Sequence, residues 1–208
     1  MKNIFLFLGA HSGELIRVEK NGELVNHGSL IKRLTEVTEK GVYGKDVQWD
    51  EIHLFEPQTY HEESLQKLAN TDNRIYYHKL AVSNINTSMP LYVKGGFGYC
   101  STTLDAEKFA GELFYIYHVP VVDLAEWINN NTSENDFVCI DMDIECEEYN
   151  LLPHLIRSNI MDRVKFISVE FHHGKSYKWA KNQLDVQIEQ DVRLALGNKF
   201  LDHDTYYS

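Results

Sequence analysis

The stretch VCIDMDIECEEYN, from Val138 to Asn150, passes from apolar to strongly acidic, with Asp141, Asp143, Glu145, Glu147 and Glu148 inside eight positions. Carboxylates crowded this closely repel unless solvent, a metal ion or a cationic ligand relieves them. Strand residues two apart share a face. If the strand that enters this stretch runs on through Asp143, Asp141 and Asp143 therefore point the same way. Such a pair can hold a cation or take the proton of a hydroxyl group. Glu145, Glu147 and Glu148 are read as the opening of the next helix, whose N-terminal dipole favours acids.

Four further stretches could share a site with these acids. GAHSGE, Gly9 to Glu14, is a turn with two glycines, which lets the backbone come close to a nucleoside or a carboxylate. It lacks the full dinucleotide fingerprint. HLFEP puts Glu56 at the carboxyl end of a strand, where an acid in a nucleotide-binding α/β fold accepts ribose hydroxyls. SVEFHHG, Ser168 to Gly174, closes another strand with Glu170, His172 and His173, and imidazole serves near neutral pH as a base or as a metal ligand. GYCSTTL, Gly98 to Leu104, offers hydroxyls after a glycine-rich loop. Each has a plainer reading as well: a tight turn, a solvated acid before proline, a core histidine, a capped surface loop.

The elements that must position these groups follow from the patterning. Asn3–Gly9, a short apolar run, and Glu51–Pro57, Arg74–Ser83, Asp136–Asp143 and Val164–His173 read as strands. Helical spacing appears at Ser29–Gly41, His61–Thr71, from about Asp123, after Glu147 and at Asn182–Gly197. Pro153 is expected to kink or delay the fourth of these helices. A hairpin is expected around Asn21-Gly22, and a strand before the glycine-rich loop at Met89–Leu104. Strands alternating with helices predict an α/β fold, a mostly parallel sheet with helices on both faces. Ligands of such sheets bind beyond the carboxyl ends of the strands, which is where Gly9, Glu56, Asp143 and Glu170 all fall.

The 208 residues suffice for one domain, expected to span residues 1–208. A formal net charge of −11 argues against broad contact with nucleic acid or an anionic membrane surface and suits a cationic ligand. Three cysteines fit no zinc spacing. They read as buried thiols in a reducing compartment, so a cytoplasmic location is expected.

Taken together, FLGAHSG, FEP, LAVSN with the later STTL, VVDLAEWI, DMDIECEE and VEFHH resemble, in this order, the FkbM-type family of S-adenosylmethionine-dependent O-methyltransferases. The resemblance runs from about Asn3 to His173. It implies a Rossmann-like, class I methyltransferase-like sheet with a short C-terminal part, S-adenosylmethionine as cofactor, and a sugar or other small hydroxylated acceptor. It also implies that Gly9, Ala10, His11, Ser12 and Gly13 hold the methionine end and that Glu56 and Pro57 sit at the ribose. Ala81 and Val82 would line the adenine, and Asp141 would lie beside the cofactor. Asp143 would face the methyl-transfer centre, with Glu170 and His172 as alternative bases or substrate holders. No residue is assigned to a metal. Acceptor specificity is expected in the loops around Tyr92 to Phe114. Three positions depart from the family pattern: Phe7 replaces an acid, Asp141 a lysine and Cys146 a glycine. Two alternatives stand beside this reading. One is a metal-dependent glycosyltransferase using Asp141-Met142-Asp143 as a metal-holding pair. The other is a non-catalytic methyltransferase-fold subunit.

Overall fold

NIFLFL has no polar residue after Asn3 because both of its faces are covered. In the computed structural model, which describes residues 1–13, 16–18, 24–26, 49–94, 100–102, 113–172 and 183–202, this run is strand β1 (Asn3–Leu8). The other strands are β2 (Ile16–Val18), β3 (Leu24–Asn26), β4 (Glu51–Phe55), β5 (Ile75–His78), β6 (Ala81–Ser83), β7 (Thr87–Lys94), β8 (Cys100–Thr102), β9 (Leu113–Asp123), β10 (Phe137–Met142), β11 (Val164–Val169) and β12 (Phe200–Asp202). The helices are α1 (Glu62–Ala69), α2 (Leu124–Asn131), α3 (Glu148–Arg157) and α4 (Gln183–Leu196).

Six strands form one parallel sheet in the order β12-β11-β10-β1-β4-β5. Alternation along β1 divides its side chains between two cores. Ile4, Leu6 and Leu8 join Val138, Ile140 and Met142 of β10 beneath α2, α3 and α4, through Leu124, Ile128, Leu151, Leu152, Leu155 and Val192. Phe5 and Phe7 turn the other way and pack with Ile52, Leu54, Cys139 and Phe166 against Leu65 of α1 and Trp49. The parallel sheet with helices on both faces is thus as expected. The chain builds outward from β1 to β4 and β5, then returns to lay β10, β11 and β12 on the opposite side. The strand order therefore reverses between β1 and β10, and in open parallel sheets that reversal opens a crevice beyond the carboxyl ends.

A second sheet departs from the expected pattern. Arg74–Ser83 is two strands, not one. Leu80 donates its N–H to the carbonyl of His78 at 2.9 Å, and this tight turn separates β5 in the large sheet from β6 in the small one. The small sheet runs β6-β9-β7-β8, with β7 antiparallel to both β8 and β9, around Ala81, Leu91, Val93, Val119 and Val121. β9 runs for 11 residues and ends at Asp123. Asp123 itself caps α2 by accepting from the Glu126 N–H at 3.1 Å. Pro153 lies inside α3 without ending it. β2 and β3 pair as the expected hairpin. The helix expected over Ser29–Gly41 lies outside the described residues, as does all of GYCSTTL except the residues of β8. At the C-terminal side, β12 completes the large sheet by pairing with β11.

Candidate functional site

The first wall of the site is the turn after β1. Gly9 and Ala10 both donate to the Phe55 carbonyl, at 2.9 and 3.1 Å, which bends the chain over the end of β4. Gly9 has φ +80°, and a Cβ there would stand 1.8 Å from the carbonyl oxygen of Asp143. The glycine is therefore demanded by the meeting of β1 and β10, whose ends are joined by the Asp143 N–H donating to the Leu8 carbonyl at 3.0 Å. His11, with φ +49°, donates its backbone N–H to Glu56 Oε2 at 2.9 Å, and Gln58 donates to Glu56 Oε1 at 2.8 Å. Ala10 is buried in the core under α1, and a Cβ on Gly13 would press on the side chains of Leu65 and Leu68. Ser12 hydrogen-bonds the His11 ring at 3.2 Å. Of the five turn residues proposed to hold a ligand, Gly9 and His11 line the cleft described below, whereas Ala10 and Gly13 serve packing.

Glu56 is 4% exposed. Burial pushes its carboxyl up from 4.5 to about 7; the amide hydrogen bonds from Gln58 and His11 oppose this, and the charge of Glu145 adds to it. The value in the fold exceeds that of the open chain, so the protonated form favours folding. That contribution is whole below about pH 4.5 and is lost as the pH rises through about 7. A rise of this size corresponds to about 3 kcal/mol at roughly 1.4 kcal/mol per pH unit. Glu56→Gln stays neutral at every pH and keeps one acceptor oxygen for two amides, at a cost of about 1 kcal/mol. The urea stability of the wild type relative to this variant should therefore fall between pH 4.5 and 7.5 by about 3 kcal/mol. A flat difference would show that Glu56 titrates normally.

The cleft lies at the reversal between β1 and β10. Gly9 and His11 form one side. Phe55, Glu56, Pro57 and Gln58 follow from the end of β4, and Leu80, Ala81 and Val82 come from the approach to β6 and from β6 itself. Leu91 of β7 and the segment after β10, with Asp143, Ile144, Glu145 and Glu147, complete it. Glu147 is buried and accepts from the Ser83 hydroxyl at 2.5 Å. Asp141 is not in the lining. β10 ends at Met142, so the strand alternation never reaches Asp143. Asp141 is 2% exposed and alternates with Ile140 and Met142, so it sits on the Cys139 side of the sheet. Asp141 is thus buried outside the cleft, whereas Asp143 lines it.

Beside the cleft, His172 gathers the remaining acids. Its Nδ1 lies 3.2 Å from Glu148 Oε1, which also accepts the His172 backbone N–H at 2.7 Å. Its Nε2 lies 3.3 Å from Asp143, 3.6 Å from Glu145 and 3.8 Å from Glu170. Burial alone would lower the imidazole. The hydrogen bond to Glu148 and the charges of Glu148, Glu145 and Asp143 outweigh it and push the group up to about 10. The loop that places these acids is tightly wound, with Glu145 at φ +53° and Cys146 at φ +82°. Cys146 thus stands in a left-handed conformation that glycine adopts freely, which accounts for the glycine of the family pattern. Its thiol donates to the His172 carbonyl at 3.3 Å. The helix starts only at Glu148, so Glu145 and Glu147 precede it. Reading these acids as a helix opening missed the parts played by Glu147 and by the wholly buried Glu148. The signal was present, since the family signature includes Glu148. His173 lies outside the described residues.

Comparison with known proteins gives three findings. The family described as the methyltransferase FkbM domain matches residues 9–205. No curated protein matches the sequence. Among solved structures, the methyltransferase FkbM of Methylobacillus flagellatus KT is similar at 15% identity and a TM-score of 0.45, over 93% of this chain and 37% of that one. The chain thus spans little more than a third of that protein's length.

Proposed function

The chain belongs to the FkbM methyltransferase domain family, and on that premise we propose that it moves a methyl group from S-adenosylmethionine to a hydroxyl oxygen of a sugar or another small hydroxylated acceptor. The observation that carries this reading is the convergence of Gly9, His11, Glu56, Ala81, Val82 and Asp143, from four separate parts of the chain, on one cleft where the strand order reverses. The residues present fit the cofactor. Glu56 spends one lone pair per oxygen on backbone amides and keeps the others for two ribose hydroxyls. Ala81 and Val82 give a flat apolar wall for a base, and Pro57 closes the ribose side. The acids at the mouth suit a cationic sulfonium.

S-Adenosylmethionine supplies a methyl group already activated on sulfur, so the protein's work is positioning and proton removal. Asp143, about two-fifths exposed at the mouth of the cleft, is the base for the acceptor hydroxyl. His172 keeps its proton at neutral pH and holds Asp143 and Glu170 in place as a fixed cation. Glu170, a third exposed, faces the acceptor. This reading includes one domain over residues 1–208 and a reducing, cytoplasmic setting, supported by the buried thiols of Cys139 and Cys146. It includes no nucleic-acid or membrane partner; no described helix is long and apolar enough to cross a membrane.

The test is calorimetric titration with S-adenosylmethionine and with its demethylated product, with and without divalent metal. Saturable binding of both without metal is expected, weakened by Glu56→Gln. Silence in every titration would sink the reading and favour a non-catalytic subunit.

A further inference from the structure

We propose that Asp143, Glu170 and His172 form a binding site for one divalent metal ion at the mouth of the cleft. One donor atom from each residue lies within 4.8 Å of the other two, with His172 Nε2 at 3.3 Å from Asp143 Oδ1 and 3.8 Å from Glu170 Oε1. Cis ligands around an ion with bonds of about 2.1 Å stand roughly 3 Å apart, so small rotations of two partly exposed carboxylates close the set. Acidic side chains alone would not make a site. What distinguishes this cluster is the imidazole and what stands behind it.

Glu148 is 0% exposed and takes the Nδ1 side of His172 with Oε1, while Oε2 has no hydrogen-bond partner among the described residues. On binding an ion His172 gives up its Nε2 proton to solvent, and the buried Glu148 carboxylate on Nδ1 then fixes the tautomer whose Nε2 lone pair faces Asp143 and Glu170. Metal-bound histidines have this outer partner almost without exception. Each ligand also enters from a separate backbone anchor. Asp143 follows β10, and Glu170 follows β11 with its N–H on the Met142 carbonyl at 2.9 Å. His172 is tied at its own N–H by Glu148. The site is distinct from the Asp141-Met142-Asp143 pair, since Asp141 is buried outside the cleft lining.

Two carboxylates and one imidazole suit manganese better than a wholly oxygen-preferring ion. Three protein ligands leave coordination positions open. Given the methyltransferase reading, on which this role but not the site itself rests, those positions would take two neighbouring oxygens of the acceptor. The acceptor class is then a vicinal diol, and the ion lowers the pKa of the hydroxyl that is methylated.

The test is titration of the purified full chain with Mn2+ alone at pH 8.5, following free Mn2+ by electron paramagnetic resonance. The expected result is one saturable ion per chain. Glu170→Gln and His172→Ala should each abolish it, and Glu148→Gln should weaken it by about 10-fold to 100-fold. Glu63→Gln on α1 should leave it unchanged. Circular dichroism and binding of the demethylated cofactor product identify any variant that has lost its fold; the conservative Glu170→Gln then decides alone. No saturable Mn2+, or saturable Mn2+ that survives Glu170→Gln, overturns the site. Cofactor binding that persists without Mn2+ binding would overturn the metal site and leave the methyltransferase reading standing.

Discussion

Gly9→Ala should cost the fold about 3–4 kcal/mol, the sum of a left-handed φ for a residue with a Cβ and the strain of overpacking. The new Cβ would overlap a backbone atom, the Asp143 carbonyl oxygen at 1.8 Å, and not the yielding end of a side chain. Relief requires β1 and β10 to part at their carboxyl ends. That breaks the hydrogen bond from Asp143 N–H to Leu8 and loosens the two donated to Phe55. For a chain of this length the loss corresponds to a fall in Tm of about 10 °C. Gly197→Ala is the matched control. Its φ is +51°, but no atom of the described residues lies within 4 Å of the added carbon, so only the conformational part remains, about 1 kcal/mol. Thermal unfolding of the two variants side by side separates close approach from backbone preference. Equal losses would show that the strand ends do not meet as described. Because the same glycine shapes one wall of the cleft, Gly9→Ala should also lose S-adenosylmethionine binding under conditions where the fold persists.

Asp143→Asn should lower turnover by about 100-fold or more, the contribution usual for a placed proton acceptor, while cofactor affinity changes much less. The amide keeps the size of the side chain and gives up its charge and its basicity. The variant must be read with labelled S-adenosylmethionine and a hydroxylated acceptor, beside a calorimetric titration of the cofactor. Loss of turnover with cofactor binding retained places Asp143 at the reacting centre, and the same loss in metal-free wild type would assign it to the ion rather than to the proton. Loss of both in equal measure would make it a cofactor ligand, and normal turnover would remove it as the base. Removing this charge also takes away one of the anions around His172, whose imidazole is pushed up by Glu148, Glu145 and Asp143. The proton on His172 should therefore be held less firmly in the variant, which NMR titration of that ring would show as a downward shift.

The large sheet was legible because its strands are buried on both faces and write themselves as nearly continuous apolar runs, IFLFL and FVCI, with EIHLF interrupted by the buried His53. Gly9, Glu56, Asp143 and Glu170 could be placed along one edge for the same reason, since parallel strands bring all their carboxyl ends to one side. The small sheet was legible only as isolated strands at β6 and β7, because Pro90 and Pro120 lie inside β7 and β9, where proline ordinarily argues against a strand. The structure admits them because each lies where one side of its strand is uncovered. β6 reaches β9 only over Val121–Asp123, and β8 reaches β7 only over Tyr92–Lys94. Asp141 was misplaced because it was grouped with Asp143, whereas Asp141 lies buried within β10 and Asp143 follows the strand into the cleft. Glu148 was undervalued because acids at a helix start have an adequate local explanation, and nothing in the local sequence says that a histidine many residues later will close over one of them.

The division of labour between the sheets bears on how this protein could change over evolutionary time. The cleft draws its charged residues from the large sheet and part of its apolar wall, Ala81, Val82 and Leu91, from the small one. β6 is the shared border, held parallel to β9 through Ala81–Ser83 and tied to the acid loop by the Ser83 hydroxyl on Glu147. The connections that leave the small sheet after Lys94 and Thr102 carry none of the charged groups assigned to the chemistry. Lineages could therefore rewrite those connections, and with them the choice of acceptor, while the reacting centre passes unchanged from one descendant to the next.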